Sequence, residues 1–271
     1  MDEHSLARRA AAEAVGTGLL VFVGGGSIVG LLLLDRGDGA PFSGPDLGLV
    51  ALAFGVVIMV SVYVLGPISG SHINPAVTVG LAATRRFPWH DVPAYVAAQL
   101  GGATVGGLLM WGIFGSHGTR LGTGFGMSYF DGTSLSWGSA FLAEALATGI
   151  LLFVVIGVID RRAPQAAAAV IIGLALAAIV LAIGPLTGAA MNPARVFGPL
   201  LVQTVDGSGA HNWLQFMAVY VPAELLGGVA AAFGYDALKG RARSTHPAPA
   251  VRADAPVRRP PAAAVPAGGA Q

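Results

Sequence analysis

The segment 137–159, WGSAFLAEALATGILLFVVIGVI, carries one ionisable side chain, Glu144, and is long enough to cross the ~30 Å hydrocarbon core of a bilayer as a helix. Similar apolar runs recur near 10–34, 47–66, 92–115, 166–183 and 213–237. With 54% hydrophobic and 11% charged residues, the chain has too little charge to cover a soluble surface. In hydrocarbon every backbone polar group must be satisfied internally, which leaves only helices and closed barrels. The period-two alternation of barrel strands is missing, and Gly and Ala crowd the runs, as closely packed helices in lipid require. The expectation is an all-α membrane protein with six transmembrane helices.

The flank of the first run, MDEHSLARRAAAEAVGTG, is acidic as well as basic and offers no clear cleavage site. It reads as a retained anchor rather than a removed signal peptide. Arg8 and Arg9 precede the first run, Arg85 and Arg86 follow the second, and Arg161 and Arg162 follow the fourth. Lys239, Arg241 and Arg243 follow the sixth, whereas the opposite loops hold Arg36 and Arg120 besides Arg195. This bias predicts a multi-pass protein of the cell (plasma) membrane with both termini cytoplasmic. Residues 1–9 are then a short cytoplasmic segment. The Pro/Ala/Arg-rich stretch 239–271 is expected to be a disordered cytoplasmic tail, either plainly solvated or drawn to lipid by its basic residues. The chain has no cysteine, so disulfides and thiolate metal sites are excluded. No nucleophile–base pair, metal-ligand cluster or phosphate-binding glycine loop supports an enzyme, and no cofactor, metal or nucleic-acid partner is expected.

The chain is also a repeat. AEAVGTGLLVFVGGG at 12–26 aligns with AEALATGILLFVVIG at 143–157, bringing Glu13 onto Glu144. Downstream, Gly66-Pro67 matches Gly184-Pro185, Gly70 matches Gly188, and Asn-Pro-Ala at 74–76 matches Asn-Pro-Ala at 192–194 without a gap. YVAAQLGG and YVPAELLGG agree if one extra leucine is allowed, which sets Gln99 opposite Glu224. Repeat one covers about 10–115, a loop about 116–136, and repeat two about 137–238, together forming a domain over 10–238. With three spans each, the halves are related by an inverted 3+3 symmetry, and folds of this kind place their site at the midplane where the repeats meet.

A single Asn-Pro-Ala could simply start a helix, since Asn caps well and Pro suits the first helical position. Two copies at equivalent places in inverted repeats point further. Each is followed by a segment too short to span and preceded by a glycine-rich loop that lipid could not solvate. Two half-helices are therefore expected to enter from opposite faces and meet end to end. Their converging N-terminal dipoles disfavour cations, and Asn74 and Asn192 can aim amide donors into the lumen. Such a conduit suits small neutral hydroxylic solutes.

The doubled motif, in SGSHINPAVT and MNPAR, resembles the major intrinsic protein family of aquaporins and aquaglyceroporins over roughly residues 8–238. That resemblance implies an hourglass fold, a homotetramer with one pore per subunit, and passage of water or small uncharged solutes. It also implies a central constriction at Asn74, Pro75, Ala76, Asn192, Pro193 and Ala194. An outer selectivity filter is implied at Phe54, Val180, Ala189 and Arg195. Water-selective relatives carry a histidine where Val180 stands, and glycerol facilitators carry an aspartate where Val196 stands. This chain follows neither pattern. Valine and alanine predict a wider, less polar opening that admits water and leaves room for glycerol, urea or ammonia.

Arg195 is expected to repel cations and donate to a passing solute; a structural ion pair is the competing reading, with no acid near it in sequence. Glu13 and Glu144, buried in spans, either support the motif loops or relay protons in a coupled small-solute transporter. A closed-pore structural protein is a third reading. His72 is assigned to loop support or to the wall of the cytoplasmic vestibule. Glu224 stands where the family usually has proline.

Overall fold

The computed structural model describes residues 4–35, 43–120, 126, 128–207 and 212–240. Six helices in it are long and apolar enough to cross a membrane. They are α1 (Leu6–Leu34), α2 (Gly44–Ser69), α4 (Trp89–Gly115), α5 (Trp137–Ile159), α6 (Ala168–Thr187) and α8 (Trp213–Lys239). Two short helices, α3 (Pro75–Ala83) and α7 (Pro193–Asp206), follow the two Asn-Pro-Ala motifs. No strand occurs among the described residues. The fold class is thus the expected one, six spans and two half-helices. Everything below concerns the unit Met1–Leu238. Residues from 241 onward, where the disordered tail was expected, lie outside the described residues, as do Arg36 and residues 121–125 and 127 of the 116–136 loop.

The spans run longer than hydropathy alone suggested. Helix α1 begins at Leu6, capped by the Ser5 side chain accepting from the Arg8 N–H, so the charged flank is itself helical. Helices α2 and α6 continue through Pro67 and Pro185, which had looked like loop. Each proline forfeits only one bond to the preceding turn, and the helix runs on until a residue takes the left-handed conformation. Gly70 at φ 86° and Gly188 at φ 81° are those stops, and each N–H closes back onto the carbonyl of Gly66 or Gly184.

The packing repeats as the sequence does. Helix α1 lies along α4 and α2, α2 crosses α6 where Gly55 faces Gly173, and α5 packs on α6. Half-helix α7 lies along α4, the third span of the other repeat. Half-helix α3 meets α8 in the same way at Gly80 and Gly228.

One detail of the sequence alignment is corrected by this packing. A Cβ on Gly102 would land on the Ala14 carbonyl, and one on Gly227 would land on the Ala145 carbonyl. Likewise Gly18 faces the Gly102 carbonyl and Gly149 faces the Gly227 carbonyl. Gly102 is therefore the partner of Gly227, in continuous register with Tyr95/Tyr220 and Gln99/Glu224, and the extra leucine is unnecessary. The matching Gly-Gly pairs misled because the eye aligns identical letters, whereas the crossing needs a bare backbone at one helical position only.

Candidate functional site

The two motif loops are built alike and meet. Asn74 caps α3, its Oδ1 accepting from the Ala76 N–H at 2.8 Å. Asn192 caps α7, accepting from the N–H groups of Ala194 at 3.0 Å and Arg195 at 3.3 Å. The other end of each amide reaches across. Asn74 Nδ2 donates to the Met191 carbonyl at 2.7 Å, and Asn192 Nδ2 donates to the Ile73 carbonyl at 2.8 Å. An amide nitrogen has two hydrogens, so each asparagine keeps one donor beyond this bond. Both asparagines line a single cavity of about 220 Å³ that also touches Phe54, Val180, Ala189 and Arg195.

The backbone before each asparagine is strained. Ser71 and Ile73 have φ of 49° and 42°, and Ala189 and Met191 have 42° and 53°. For residues other than glycine this region costs on the order of 1–3 kcal/mol each, and for β-branched Ile73 it is a clear outlier. The bent backbone brings the successive N–H groups of His72 and Ile73, and of Ala190 and Met191, to one side of each loop.

What holds the strained backbone is a buried glutamate in each repeat. Glu13 accepts from the Ser69 hydroxyl at 2.7 Å and from the N–H groups of His72 at 2.9 Å and Ile73 at 2.5 Å. Glu144 accepts from the Thr187 hydroxyl at 2.5 Å and from the N–H groups of Ala190 and Met191, both at 3.0 Å. Hydrogen bonds to a charged group contribute roughly 1.5–3 kcal/mol each, enough to offset the strain. Two tyrosines complete the brackets: Tyr95 donates to the Ser69 carbonyl at 2.8 Å and Tyr220 to the Thr187 carbonyl at 2.7 Å. Both carboxyl groups are thus engaged by the loops that they hold.

His72 joins the loop through its backbone, and its Nδ1 lies 3.2 Å from the Thr78 hydroxyl. Its ring packs edge-on against Phe87 at 4.7 Å and tilts against Tyr95 at 5.1 Å. It also lines the cavity.

Arg195 is 4% exposed, and among the described residues its guanidinium forms no ion pair. It donates to the Ser128 hydroxyl at 2.5 Å and lies 5.0 Å from the centre of the Phe54 ring. Ser128 in turn approaches the Gly188 carbonyl at 3.4 Å, tying the arginine to the second loop. Phe54, Val180 and Ala189 are buried beside it. Nothing in the sequence singled out Ser128, which lies in a polar connection far from the motif. That connection is fixed by Gln215, which accepts from the Phe130 N–H at 3.2 Å and donates to its carbonyl at 2.8 Å. Asp131 follows, its carboxyl held below the usual carboxylate range by the Thr133 backbone and hydroxyl.

A second unsuspected feature is a widened π turn over Leu20–Gly25 in α1. It brings Gly24 under Phe54, where a Cβ would strike the ring. Such turns are frequent at functional sites and leave no mark in hydropathy.

Three of the basic residues that suggested orientation form ion pairs. Arg9 pairs with Asp91 at 2.6 Å, Arg86 with Asp236 through both guanidinium nitrogens at 2.9 and 2.5 Å, and Arg162 with Asp160 at 3.0 Å. Hydrogen bonds to Asp236 and Asp160, together with their opposite charge, raise the affinity of Arg86 and Arg162 for their protons.

The chain is similar to known proteins over most of its length. The model of the family described as Major intrinsic protein matches residues 1–235. "Probable aquaporin AqpM" of Archaeoglobus fulgidus is 39% identical over 246 residues, covering 86% of this chain and 98% of that one. "Aquaporin Z" of Bradyrhizobium diazoefficiens is 41% identical over 227 residues, covering 82% and 91%. Among solved structures, the aquaglyceroporin from Plasmodium falciparum superposes with a TM-score of 0.74 at 28% identity, covering 85% of this chain and 96% of that one.

Proposed function

The chain belongs to the major intrinsic protein family, and from that premise we propose how its residues divide the work of a passive channel for water and small solutes. Asn74 and Asn192, with the Pro-Ala pairs that follow them, form the central constriction. Phe54, Val180, Ala189 and Arg195 form the outer filter. The observation that carries this reading is the reciprocal bonding of the two asparagines at a cavity whose wall also includes all four filter residues.

In the proposed mechanism a solute oxygen meets the remaining amide donor of each asparagine and so cannot accept from its neighbours in file. Proton hopping along the file is broken there, and the N-termini of α3 and α7 add positive potential. Arg195 supplies a fixed charge that repels cations and a donor for the neutral solute. Val180 and Ala189 offer no polar group and little bulk, so the filter admits water together with solutes of the glycerol, urea or ammonia class. The transporter reading through Glu13 and Glu144 is not favoured, because both side chains are engaged by the loops they hold.

Further parts of the same proposal are a homotetramer in the plasma membrane and cytoplasmic termini, the latter from the basic residues at 8–9, 85–86 and 161–162. Domain 10–238 is then the channel, flanked by the cytoplasmic segment 1–9 and the tail 239–271. The test is Val180→His in reconstituted vesicles: glycerol entry should fall while water flow persists. Unchanged glycerol entry would remove Val180 from the filter.

A further inference from the structure

Glu224 is fully buried in α8; no side chain satisfies either of its carboxyl oxygens, and the donor turned toward it is the Asn192 N–H. The first repeat shows what stands at the equivalent place. Gln99 Nε2 donates to Glu13 Oε2 at 2.8 Å and to the Thr78 hydroxyl at 3.0 Å. The crossing of α4 over α1 at Gly102 and Ala14 recurs as the crossing of α8 over α5 at Gly227 and Ala145. Glu224 therefore stands toward Glu144 as Gln99 stands toward Glu13.

The second cluster differs from the first in two ways. The equivalent of Thr78 is Val196, which cannot take part. Glu144 Oε2 accepts from the Met191 N–H alone, where Glu13 Oε2 accepts from both Ile73 and Gln99. One donor is missing and one carboxyl group is in surplus. The groups facing Glu224 are Glu144 on α5, Arg195 and the Asn192 backbone on α7, and Tyr220 on its own helix. Tyr220 is committed to the Thr187 carbonyl, and Arg195 donates to Ser128 and makes no hydrogen bond or ion pair with Glu224. Two carboxylates facing each other in this interior cannot both be charged, and one proton resolves the surplus and the deficit together.

We propose that Glu224 is a carboxylic acid that donates its proton in a hydrogen bond to Glu144 Oε2, acting as the positioning residue of the second loop as Gln99 acts for the first. The proton sits on Glu224 because Glu144 already accepts from Thr187, Ala190 and Met191, and those bonds favour its charged form. The inference rests on the second loop lining the pore and is independent of which solute passes.

The experiment is an infrared difference spectrum of the full chain in lipid vesicles, wild type minus Glu224→Gln, with water permeability of both and of Glu224→Leu measured in the same preparations. The expected result is a carbonyl stretch of a protonated acid in wild type that Glu224→Gln lacks. Glu224→Gln keeps wild-type water flow because an amide still donates to Glu144, while Glu224→Leu loses it several-fold. No acid band in the difference spectrum, or equal loss of flow in both variants, overturns the proposal. Should Glu224→Leu fail to fold, the band and Glu224→Gln still decide it. Absence of water flow in wild type would count against the channel assignment alone, since the acid band is read separately.

Discussion

Asn74 and Asn192 each fix the residue that precedes the other: the Asn74 amide holds the Met191 carbonyl at 2.7 Å and the Asn192 amide holds the Ile73 carbonyl at 2.8 Å. Ile73 and Met191 are the residues in left-handed backbone whose N–H groups bind Glu13 and Glu144. Each strained residue is thus gripped at its N–H by its own repeat and at its carbonyl by the opposite one. The two loops form one unit.

Asn192→Ala is expected to lose both the helix cap and this grip on Ile73. A lost cap costs about 1 kcal/mol in thermal stability. Water permeability should fall about tenfold, the equivalent of about 1.4 kcal/mol in barrier. Asn74→Ala should behave alike, and vesicle swelling with thermal unfolding in detergent checks both. Equal stability and flow to wild type would mean the cross-loop bonds contribute nothing.

The register of the repeats gives a sharp contrast between neighbours. A Cβ at Gly101 meets nothing within 4 Å, whereas one at Gly102 runs into the Ala14 carbonyl. Gly101→Ala should be neutral, and Gly102→Ala and Gly227→Ala should each lose about 1–3 kcal/mol through overpacking. Melting temperatures of the three variants in detergent decide it, and a destabilised Gly101→Ala with a stable Gly102→Ala would restore the gapped alignment.

Much of this was legible beforehand, for identifiable reasons. Spans were visible because lipid forbids charge, and Glu13 and Glu144 stood out because an acid in a span has no cheap explanation. The second and fifth spans, expected to end near 66 and 183, run on through Pro67 and Pro185 to the left-handed residues Gly70 and Gly188. Ser128 stayed hidden because its partner Arg195 is 67 positions away, and a serine in a polar connection carries no pattern. The π turn beneath Phe54 and the left-handed backbone of Ile73 and Met191 arise from packing, which local sequence does not encode.

Ser128 separates anchoring from charge. Ser128→Ala leaves a buried guanidinium donor without its partner, at a cost of about 1–3 kcal/mol, and frees Arg195 to shift. Water flow should persist with a modest rise in proton leak. Arg195→Ala should raise the leak far more, since the fixed charge itself is gone. Dye-loaded vesicles under a pH step read both, and a leak in Ser128→Ala equal to that in Arg195→Ala would remove the distinction.

Glu144→Gln replaces one acceptor oxygen by a donor that faces an N–H of the loop. That clash leaves a buried N–H unsatisfied, a cost of about 1–3 kcal/mol, and should lower water flow without giving any dependence on a proton gradient. Faster flow, or flow newly insensitive to a gradient that drove it in wild type, would instead revive a proton-coupled role.

The most direct measurement is light-scattering stopped flow on vesicles containing the purified protein, following water and glycerol permeation with and without a protonophore. The predicted result is fast water flow, with measurable glycerol entry through the filter at Val180 and Ala189, both indifferent to the protonophore. Transport abolished by the protonophore, or vesicles no more permeable than protein-free lipid, would contradict a passive channel.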